Sequence, residues 1–174
     1  MRKNIVLIGM PGAGKSTVGV VLAKLLGYSF LDTDLLIQNA AGKRLSVILE
    51  EKGPEGFLAF EDRIISEVKA EGTVIATGGS AVYGVNAMAN LKKNGIVVYL
   101  SLPYRTVSAR LGDLKKRGVV LKEGQDLRMA FDERSTLYRQ YADLIPDIRG
   151  KRLLETAEEV YGAVTELLRK EKYE

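Results

Sequence analysis

The sequence predicts an α/β fold with a central parallel sheet, and two observations lead to this prediction. Short apolar runs rich in Val and Ile alternate along the chain with segments of helical periodicity. Within these runs apolar and polar residues do not alternate, which is typical of strands buried on both faces of a parallel sheet. We expect about five strands in a single domain over residues 1–174, because this length fits one domain of common size.

The expected elements follow in order along the chain. Strands are predicted at residues 4–8, 29–32, 73–77 and 96–101, with a short fifth strand within 143–148. Helices are predicted at residues 15–26, 33–41, 45–52, 57–70, 84–93, 103–112, 126–141 and 156–171. Gly27, Gly42 and Gly53 end the first three helices, and Thr156 with Glu159 forms a capping-box pattern at the start of the last.

A phosphate-binding motif lies between the first strand and the first helix. Residues 9–16 read G-M-P-G-A-G-K-S, the pattern G-x-x-x-x-G-K-S. Glycines let backbone N–H groups approach phosphate oxygens, and the helix that follows directs its positive end at the same anion. Lys15 would reach the phosphates and Ser16 would coordinate Mg²⁺. The predicted nucleotide-binding residues here are Gly12, Ala13, Gly14, Lys15, Ser16 and Thr17; the alternative is a simple glycine-rich turn.

The composition restricts the chemistry of the site. The chain has no Cys and no His, which excludes disulfides, thiolate nucleophiles, imidazole bases and His-ligated metals. The groups that remain for acid, base or charge chemistry are carboxylates, Lys, Arg, Tyr and Mg²⁺. The net charge of +4 fits anionic small molecules at least as well as nucleic acid, since the basic clusters are not interleaved with aromatic residues.

Two further segments follow predicted strands and therefore meet the phosphate motif at one edge of the sheet. Asp32 and Asp34 follow the second strand; we expect them to diverge, one toward Mg²⁺ and one toward an acceptor hydroxyl, although Asp32 or Thr33 could instead cap the next helix. Gly78, Gly79 and Ser80 follow the third strand. This second turn permits close backbone approach to a ligand, with a plain turn as the alternative.

Arginines in the second half of the chain are candidate anion-binding residues. Arg110 would stack on adenine or touch phosphate, Arg117 would bridge phosphate and acceptor, and Arg134 would pair with a carboxylate. Residues 117–124 interrupt the helical period and follow a basic stretch, so residues 112–126 are predicted to form a mobile lid rather than an ordinary surface connection. Any one of these arginines taken alone is more often a solvated surface residue.

With these motifs assembled, the chain resembles the shikimate kinases over nearly all of its length. That family's pattern contains a P-loop ending in G-K-S/T, then D-x-D, G-E-x-x-F-R-x-x-E, T-G-G-G, R-P-L-L, and E-R-x-P-L-Y-x-x-x-A-D. This chain supplies Gly14-Lys15-Ser16, Asp32-Thr33-Asp34, and Glu133-Arg134-Ser135-Thr136-Leu137-Tyr138 followed by Tyr141-Ala142-Asp143. The resemblance implies a three-layer αβα P-loop kinase fold with an acceptor-binding segment at about residues 33–62.

The resemblance also implies roles for individual residues. Asp34 would orient the acceptor hydroxyl and serve as candidate base, and Asp32 would lie near Mg²⁺. Arg134 would hold the acceptor carboxylate, while Gly78, Gly79 and Ser80 would line the acceptor site. Arg110 would contact the nucleotide, Lys151 or Arg152 would lie near the adenine, and Arg117 would reach in from the lid. Lys15, Asp34 and Arg117 are thus the predicted catalytic residues.

Three positions depart from the family's pattern. Leu58 stands where the family has a carboxylate-binding arginine, and Ser80 replaces the last glycine of T-G-G-G. The lid reads R-G-V-V from Arg117 instead of R-P-L-L, and Gly118 in place of proline should loosen the hinge. Loss of one charge-assisted bond, about 1.5 to 3 kcal/mol, predicts an altered or weakened acceptor site.

The predicted function is transfer of the γ-phosphoryl of ATP to a hydroxyl of a small anionic metabolite, shikimate first of all. A kinase of the same fold that acts on another hydroxylated acid, sugar acid or amino acid is the main alternative, and a non-catalytic ATP-sensing module is a lesser one. ATP and Mg²⁺ are the predicted cofactors. We expect a cytoplasmic monomer without nucleic-acid or membrane partners, since no apolar stretch approaches the length of a membrane span.

Overall fold

The computed structural model describes residues 3–112 and 119–173, and it confirms the α/β prediction. The strands are β1 (Asn4–Ile8), β2 (Ser29–Asp32), β3 (Thr73–Ala76) and β4 (Gly95–Tyr99). The helices are α1 (Lys15–Leu26), α2 (Thr33–Ala41), α3 (Leu45–Ser66), α4 (Val85–Lys93), α5 (Tyr104–Leu111), α6 (Leu127–Tyr141) and α7 (Leu153–Tyr173), with a short 3₁₀ turn at Ala81–Tyr83.

The described sheet has four parallel strands in the order β2-β3-β1-β4, so the prediction of about five was wrong by one. The expected fifth strand within 143–148 forms only an isolated bridge between Leu144 and Val98. Pro146 has no N–H to donate to a ladder, and Ile145 is half exposed, so pairing ends after this single contact.

Helices cover both faces of the sheet and make three layers. Along β1, Val6 and Ile8 pack into one hydrophobic cluster with α3, α4, α5 and α6, whereas Ile5 and Leu7 pack into another with α1 and α7. Both faces of β1 are therefore buried, as the absence of polar alternation indicated. A third, smaller cluster of Ile37, Ile48, Phe57 and Val120 joins α2 and α3 to the chain that follows the undescribed residues.

One expected helix boundary is present and another is wrong. The helical backbone of residues 45–66 is interrupted by a kink at Gly53, with φ 68° and ψ 172°, where the first of two helices was predicted to end. The last helix begins at Leu153, which makes the predicted capping box wrong. The carboxylate of Glu155 accepts the backbone N–H of Arg152 at 2.7 Å, so the helix starts earlier and Thr156 lies buried inside it.

Candidate active site

A cavity of about 350 Å³ opens where β1 and β3 end and α1 and α2 begin. It lies at the carboxyl edge of the parallel strands, where open α/β sheets bind ligands. Predicted site residues that line it are Gly12, Gly14, Lys15, Ser16, Thr17, Asp34, Gly78, Gly79, Ser80 and Arg134. Below, this space is called the central cavity.

The phosphate motif has the geometry that its glycines predict. Gly12 and Gly14 have φ values of 79° and 92°, which L side chains rarely adopt. The Lys15 ammonium donates to the carbonyl oxygens of Gly9 at 2.7 Å and Met10 at 2.8 Å. Burial lowers the pKa of Lys15 to about 8, although Asp34 and Asp32 oppose the shift. A bound phosphate would replace these neutral carbonyl partners of Lys15 with an anionic partner.

Ser16 and Asp32 form a pair of oxygen donors beside this loop. The Ser16 hydroxyl donates to Asp32 Oδ2 at 2.6 Å, while Asp32 Oδ1 accepts the backbone N–H of Asp34 at 2.9 Å. Asp32 is therefore the N-cap of α2 and at the same time faces the phosphate loop. The predicted helix cap is therefore present, while the role of Asp32 near Mg²⁺ stays a prediction.

These two side chains fit a magnesium ion that is bound together with phosphate. Both are oxygen ligands, and Mg²⁺ in nucleotide sites takes one or two protein ligands plus phosphate oxygens and water. No group of three or more acidic, His or Cys side chains in residues 3–112 and 119–173 is arranged to hold a metal by itself. The pair would thus hold the ion with the nucleotide rather than alone.

Asp34 and Glu61 lie next to each other at Gly78. A methyl group on Gly78 would lie 2.7 Å from both Asp34 Oδ1 and Glu61 Oε1, so these oxygens are separated by no more than twice that distance. Burial and Asp32 raise the pKa of Asp34 to about 6, against the opposing effect of Lys15. Burial raises the pKa of Glu61 to about 7. The central cavity therefore contains two neighbouring acids.

Glu61 is the principal site residue that the sequence analysis did not assign. Its Oε2 accepts a hydrogen bond from the Ser80 hydroxyl at 2.6 Å, and both residues are buried. Glu61 occupies the last position of the family's G-E-x-x-F-R-x-x-E stretch. The sequence therefore contained a signal for this residue, although no role was predicted from it. Phe57 from the same stretch also lines the cavity.

The second glycine turn packs directly against the phosphate loop. A methyl group on Gly79 would lie only 2.4 Å from Pro11 Cδ, and the Gly78 N–H donates to the Thr33 hydroxyl at 3.2 Å. The carbonyl oxygen of Gly79 accepts a hydrogen bond from the buried Tyr138 hydroxyl at 2.5 Å. Close backbone approach explains why side chains are missing at these two positions.

Arg134 is buried, with 1% of its surface exposed, and lines the central cavity. Its Nη2 donates to the carbonyl oxygen of Val120, and its Nε lies 3.4 Å from the Tyr83 hydroxyl. Nη1 is buried and has no hydrogen-bond partner within the described ranges. A buried guanidinium with a free N–H is suited to an anionic ligand.

A second groove of about 600 Å³ adjoins the phosphate loop on its other side. Ala13, Arg110, Lys151 and Arg152 line it together with Leu153. Arg110 donates to the Gly12 carbonyl oxygen at 3.2 Å, which places it against the phosphate loop. The Arg152 side chain is 88% exposed and pairs with Glu155. These positions suit the nucleoside end of a bound nucleotide.

The predicted catalytic Arg117 and the first part of the predicted lid, with Gly118, lie outside the described residues. Val119 and Val120, which follow, are buried and line the central cavity. No helix in the described part of the chain is both long and apolar enough to cross a membrane.

Comparisons with known proteins identify the family. A sequence model of shikimate kinase matches residues 11–165. Shikimate kinase from Persephonella marina is 34% identical over 163 residues, which cover 93% of this chain and 99% of that protein. The chain belongs to the shikimate kinase family. Shikimate kinase from Caldanaerobacter subterraneus subsp. tengcongensis is 35% identical over 168 residues, with coverage of 95% and 98%.

Solved shikimate kinases share the fold. Shikimate kinase from Acinetobacter baumannii in complex with shikimate superimposes with a TM-score of 0.86 at 34% identity, covering 95% of this chain and 94% of that one. The enzyme from Aquifex aeolicus gives a TM-score of 0.78 at 30% identity, with coverage of 93% and 96%. A gluconokinase from Sinorhizobium meliloti, 18% identical with a TM-score of 0.54, shares the P-loop kinase fold alone.

Ser80 and Leu58, two of the departures from the shikimate kinase pattern, occupy different places. Ser80 lines the central cavity and bonds to Glu61. Leu58 does not line that cavity; it lines a neighbouring surface groove with Lys122 and Glu123. The position of the family's arginine thus holds a leucine, which adds no positive charge to the central cavity. The described hydrogen bond to Glu61 comes from Ser80.

Proposed function

We propose that this chain transfers the γ-phosphoryl group of ATP to the 3-hydroxyl of shikimate, giving ADP and shikimate 3-phosphate. The observation that carries the proposal is the central cavity, in which a phosphate loop with Lys15 faces the half-buried Asp34 and an arginine with a free N–H. Membership of the shikimate kinase family supports the choice of donor and acceptor.

The donor half of the reaction is electrostatic. Backbone N–H groups of the loop and the ammonium of Lys15 would hold the phosphates, and the transferred group carries charge that these donors stabilise. Ser16 and Asp32 would hold Mg²⁺, which neutralises charge on the phosphate oxygens when it is bound with ATP. Gly12 and Gly14 allow the backbone to approach closely because they carry no side chain.

The acceptor half depends on positioning. Asp34 would accept the hydrogen of the attacking hydroxyl, so that its oxygen points at the γ-phosphorus. Arg134 would pair with the acceptor carboxylate through its free Nη1. The turn at Gly78 and Gly79 would bring backbone atoms into contact with the acceptor. We also propose that Arg117 reaches the phosphates from the lid, and that Arg110 and Arg152 flank the nucleoside.

A kinase of another hydroxylated acid is the second candidate, and Ser80 and Leu58 are the observations that favour it. In the described part of the cavity, Arg134 is the one arginine that lines it together with the acids Asp34 and Glu61. The family's pattern has a further arginine at the position of Leu58, so the balance of charges differs. An acceptor with an additional hydrogen-bond donor would suit such a cavity.

An acceptor screen tests the proposal. ADP release from ATP and Mg²⁺ is measured with shikimate, with sugar acids and with hydroxy amino acids, using Lys15→Ala as the inactive control. We expect shikimate to give the highest kcat/KM. Faster turnover of another acid would establish the second candidate, and tight ATP binding without transfer to any acceptor would contradict both. Cytoplasmic location and a monomeric state stay predictions, which cell fractionation and sedimentation would test.

A further inference from the structure

The two described hydrogen-bond partners of the Arg134 guanidinium are both neutral groups. Nη2 donates to the carbonyl oxygen of Val120, and Nε donates to the Tyr83 hydroxyl at 3.4 Å. Arg134 lines the central cavity, so these contacts fix the direction of a cation in the cavity wall. Because a carbonyl and a phenol carry no net charge, they orient the guanidinium without neutralising it.

The ring of Tyr83 contacts the same guanidinium. Arg134 Cζ lies 5.3 Å from the centroid of the ring, within the distance at which an aromatic face attracts a cation. The contact between Nε and the hydroxyl is long for a hydrogen bond and contributes only part of the attraction. Tyr83 therefore holds the planar group both through its hydroxyl and through its ring.

The backbone of Tyr83 is fixed on both sides along the chain. Tyr83 ends the 3₁₀ turn Ala81–Tyr83, and its N–H donates to the carbonyl oxygen of Ser80 at 3.0 Å. Just after it, the N–H of Ala87 at the start of α4 donates to Asp62 Oδ1 of α3 at 2.7 Å. The half-buried Tyr83 side chain thus starts from a backbone that is bound to the acceptor turn and to α3.

A second cation packs on the Tyr83 ring, and its charge is already balanced. Lys122 Nζ lies 4.3 Å from the ring centroid and donates to Glu133 Oε1. Gln125 Nε2 donates to the other oxygen of Glu133 at 2.7 Å. The hydrogen bond from Lys122 lowers the pKa of Glu133, so this acid stays ionised. Of the two cations on the ring, Arg134 is therefore the one left to bind an anion.

We propose that Tyr83 is a positioning residue, which holds the guanidinium of Arg134 in the orientation that binds the carboxylate of the acceptor. The inference rests on the proposed function, because it takes the acceptor to be a carboxylate such as shikimate. An arginine side chain has several rotatable bonds, and ordering it before the ligand arrives removes that cost from binding. Tyr83 does this without supplying a competing negative charge.

The carboxylate of the acceptor provides the readout. We measure kcat/KM of the full chain, at saturating ATP and Mg²⁺, for shikimate and for its uncharged methyl ester. The parent should prefer the acid by about tenfold or more, because the ester cannot form the charge-assisted bond. In Tyr83→Phe this preference should fall by about 3- to 10-fold, while kcat/KM for the ester stays within about twofold of the parent value.

The preference for the acid separates positioning from a structural defect. A substitution that only reduces the folded fraction lowers kcat/KM for both acceptors by the same factor, so their ratio does not change. Tyr83→Leu, which also removes the ring, should reduce the ratio more than Tyr83→Phe does. Tyr161→Phe, on the exposed part of α7, should leave it unchanged. Circular dichroism and the thermal unfolding temperature show whether each variant folds.

A double-mutant cycle tests whether Tyr83 acts through Arg134. Arg134→Lys keeps a positive charge but has no guanidinium for Tyr83 to orient. In that background Tyr83→Phe should change the preference for the acid by less than about twofold, because residues that act as a unit are not additive. The same loss in both backgrounds would show that Tyr83 does not act through Arg134, and would overturn the inference.

The outcomes also distinguish this inference from the proposed function. Suppose that the parent phosphorylates shikimate, but Tyr83→Phe keeps the full preference for the acid or loses activity equally on acid and ester. The role of Tyr83 is then overturned and the proposed function stands. A parent chain that phosphorylates neither acceptor overturns the proposed function and this inference with it.

Discussion

The hydroxyl of Tyr138 donates a 2.5 Å hydrogen bond to the carbonyl oxygen of Gly79. Tyr138 is completely buried in α6 and packs on Tyr99, with ring centroids 5.0 Å apart. Its hydroxyl also lies 3.8 Å from Met10 Sδ in the phosphate loop. Burial raises the pKa of Tyr138, so the phenol stays protonated and keeps donating. One side chain thus links the acceptor turn, the phosphate loop and the core.

Tyr138→Phe should weaken acceptor binding more than nucleotide binding. The substitution leaves the buried Gly79 carbonyl without its donor, which costs about 1–3 kcal/mol of unfolding free energy. We expect a higher KM for the acceptor, a smaller change in KM for ATP, and a lower urea midpoint. Tyr161→Phe on the exposed part of α7 is the matched control. Equal changes in both KM values would contradict the proposed link to the acceptor turn.

Lys15→Ala should abolish most phosphoryl transfer while the protein stays folded. The variant loses the cation that faces the phosphates, and a single charge-stabilising donor contributes about 10²- to 10³-fold to kcat. Its hydrogen bonds are to carbonyls of its own loop, so the core is unchanged. Lys24→Ala, on the exposed face of the same helix, should keep full activity. Normal ADP release by Lys15→Ala would refute this account of the donor site.

Gly78→Ala should impair the acceptor site because its methyl group needs space that two carboxylates occupy. The methyl group would lie 2.7 Å from Asp34 Oδ1 and from Glu61 Oε1, so at least one acid must move. Overpacking of about 1–3 kcal/mol in this site predicts an increase of about 5- to 150-fold in the acceptor KM.

A glycine in open space provides the contrast to Gly78. Gly162 lies in α7, and an added methyl group would meet nothing within 4 Å beyond its chain neighbours and the adjacent backbone of its own helix. Gly162→Ala should therefore raise the free energy of unfolding by up to about 1 kcal/mol, through higher helix propensity, and leave kinetics unchanged. A similar loss of activity in both variants would contradict a specific role for the space beside Gly78.

Glu61→Gln should stabilise the protein at alkaline pH. Because burial raises the folded-state pKa of Glu61 from 4.5 to about 7, its contribution to stability is complete below 4.5 and is lost as pH rises through 7. At about pH 8 the variant should gain up to about 3 kcal/mol in unfolding free energy, and at about pH 4 almost nothing. Urea unfolding at both pH values measures the difference, and a gain that is independent of pH would contradict the burial of this charge.

Local sequence patterns predicted most of the fold. Glycines in left-handed conformations at Gly27 and Gly42 end helices as expected, because few other residues adopt that geometry. The phosphate loop was also predictable, because the spacing of its glycines is a local pattern that specifies the turn and the start of the next helix. The absence of a fifth strand in the described sheet was not predictable from local patterns, because a strand requires partners that are distant in sequence. Pro146 also lacks the backbone N–H that a ladder would use.

The site was less predictable than the fold where it depends on contacts between elements. Ser80 was noticed as a departure from the family's pattern, but its bond to Glu61 joins residues on different elements and follows from no local spacing. Asp32 was predicted to lie near Mg²⁺ or instead to cap a helix; the structure shows Oδ1 as the helix cap and Oδ2 bonded to Ser16, and the role near Mg²⁺ stays a prediction. No site role was predicted for Tyr138, yet its hydroxyl donates to the carbonyl oxygen of Gly79 in the acceptor turn.

Identification of the reaction product shows whether this chain phosphorylates shikimate. The chain is incubated with ATP, Mg²⁺ and shikimate, and the products are identified by ³¹P NMR and mass spectrometry, with Lys15→Ala in parallel. We expect ADP and shikimate 3-phosphate in equal amounts, formed by the parent chain and not by the variant. Turnover of ATP without phosphorylated shikimate, or with phosphate on another acceptor from the screen alone, would contradict it.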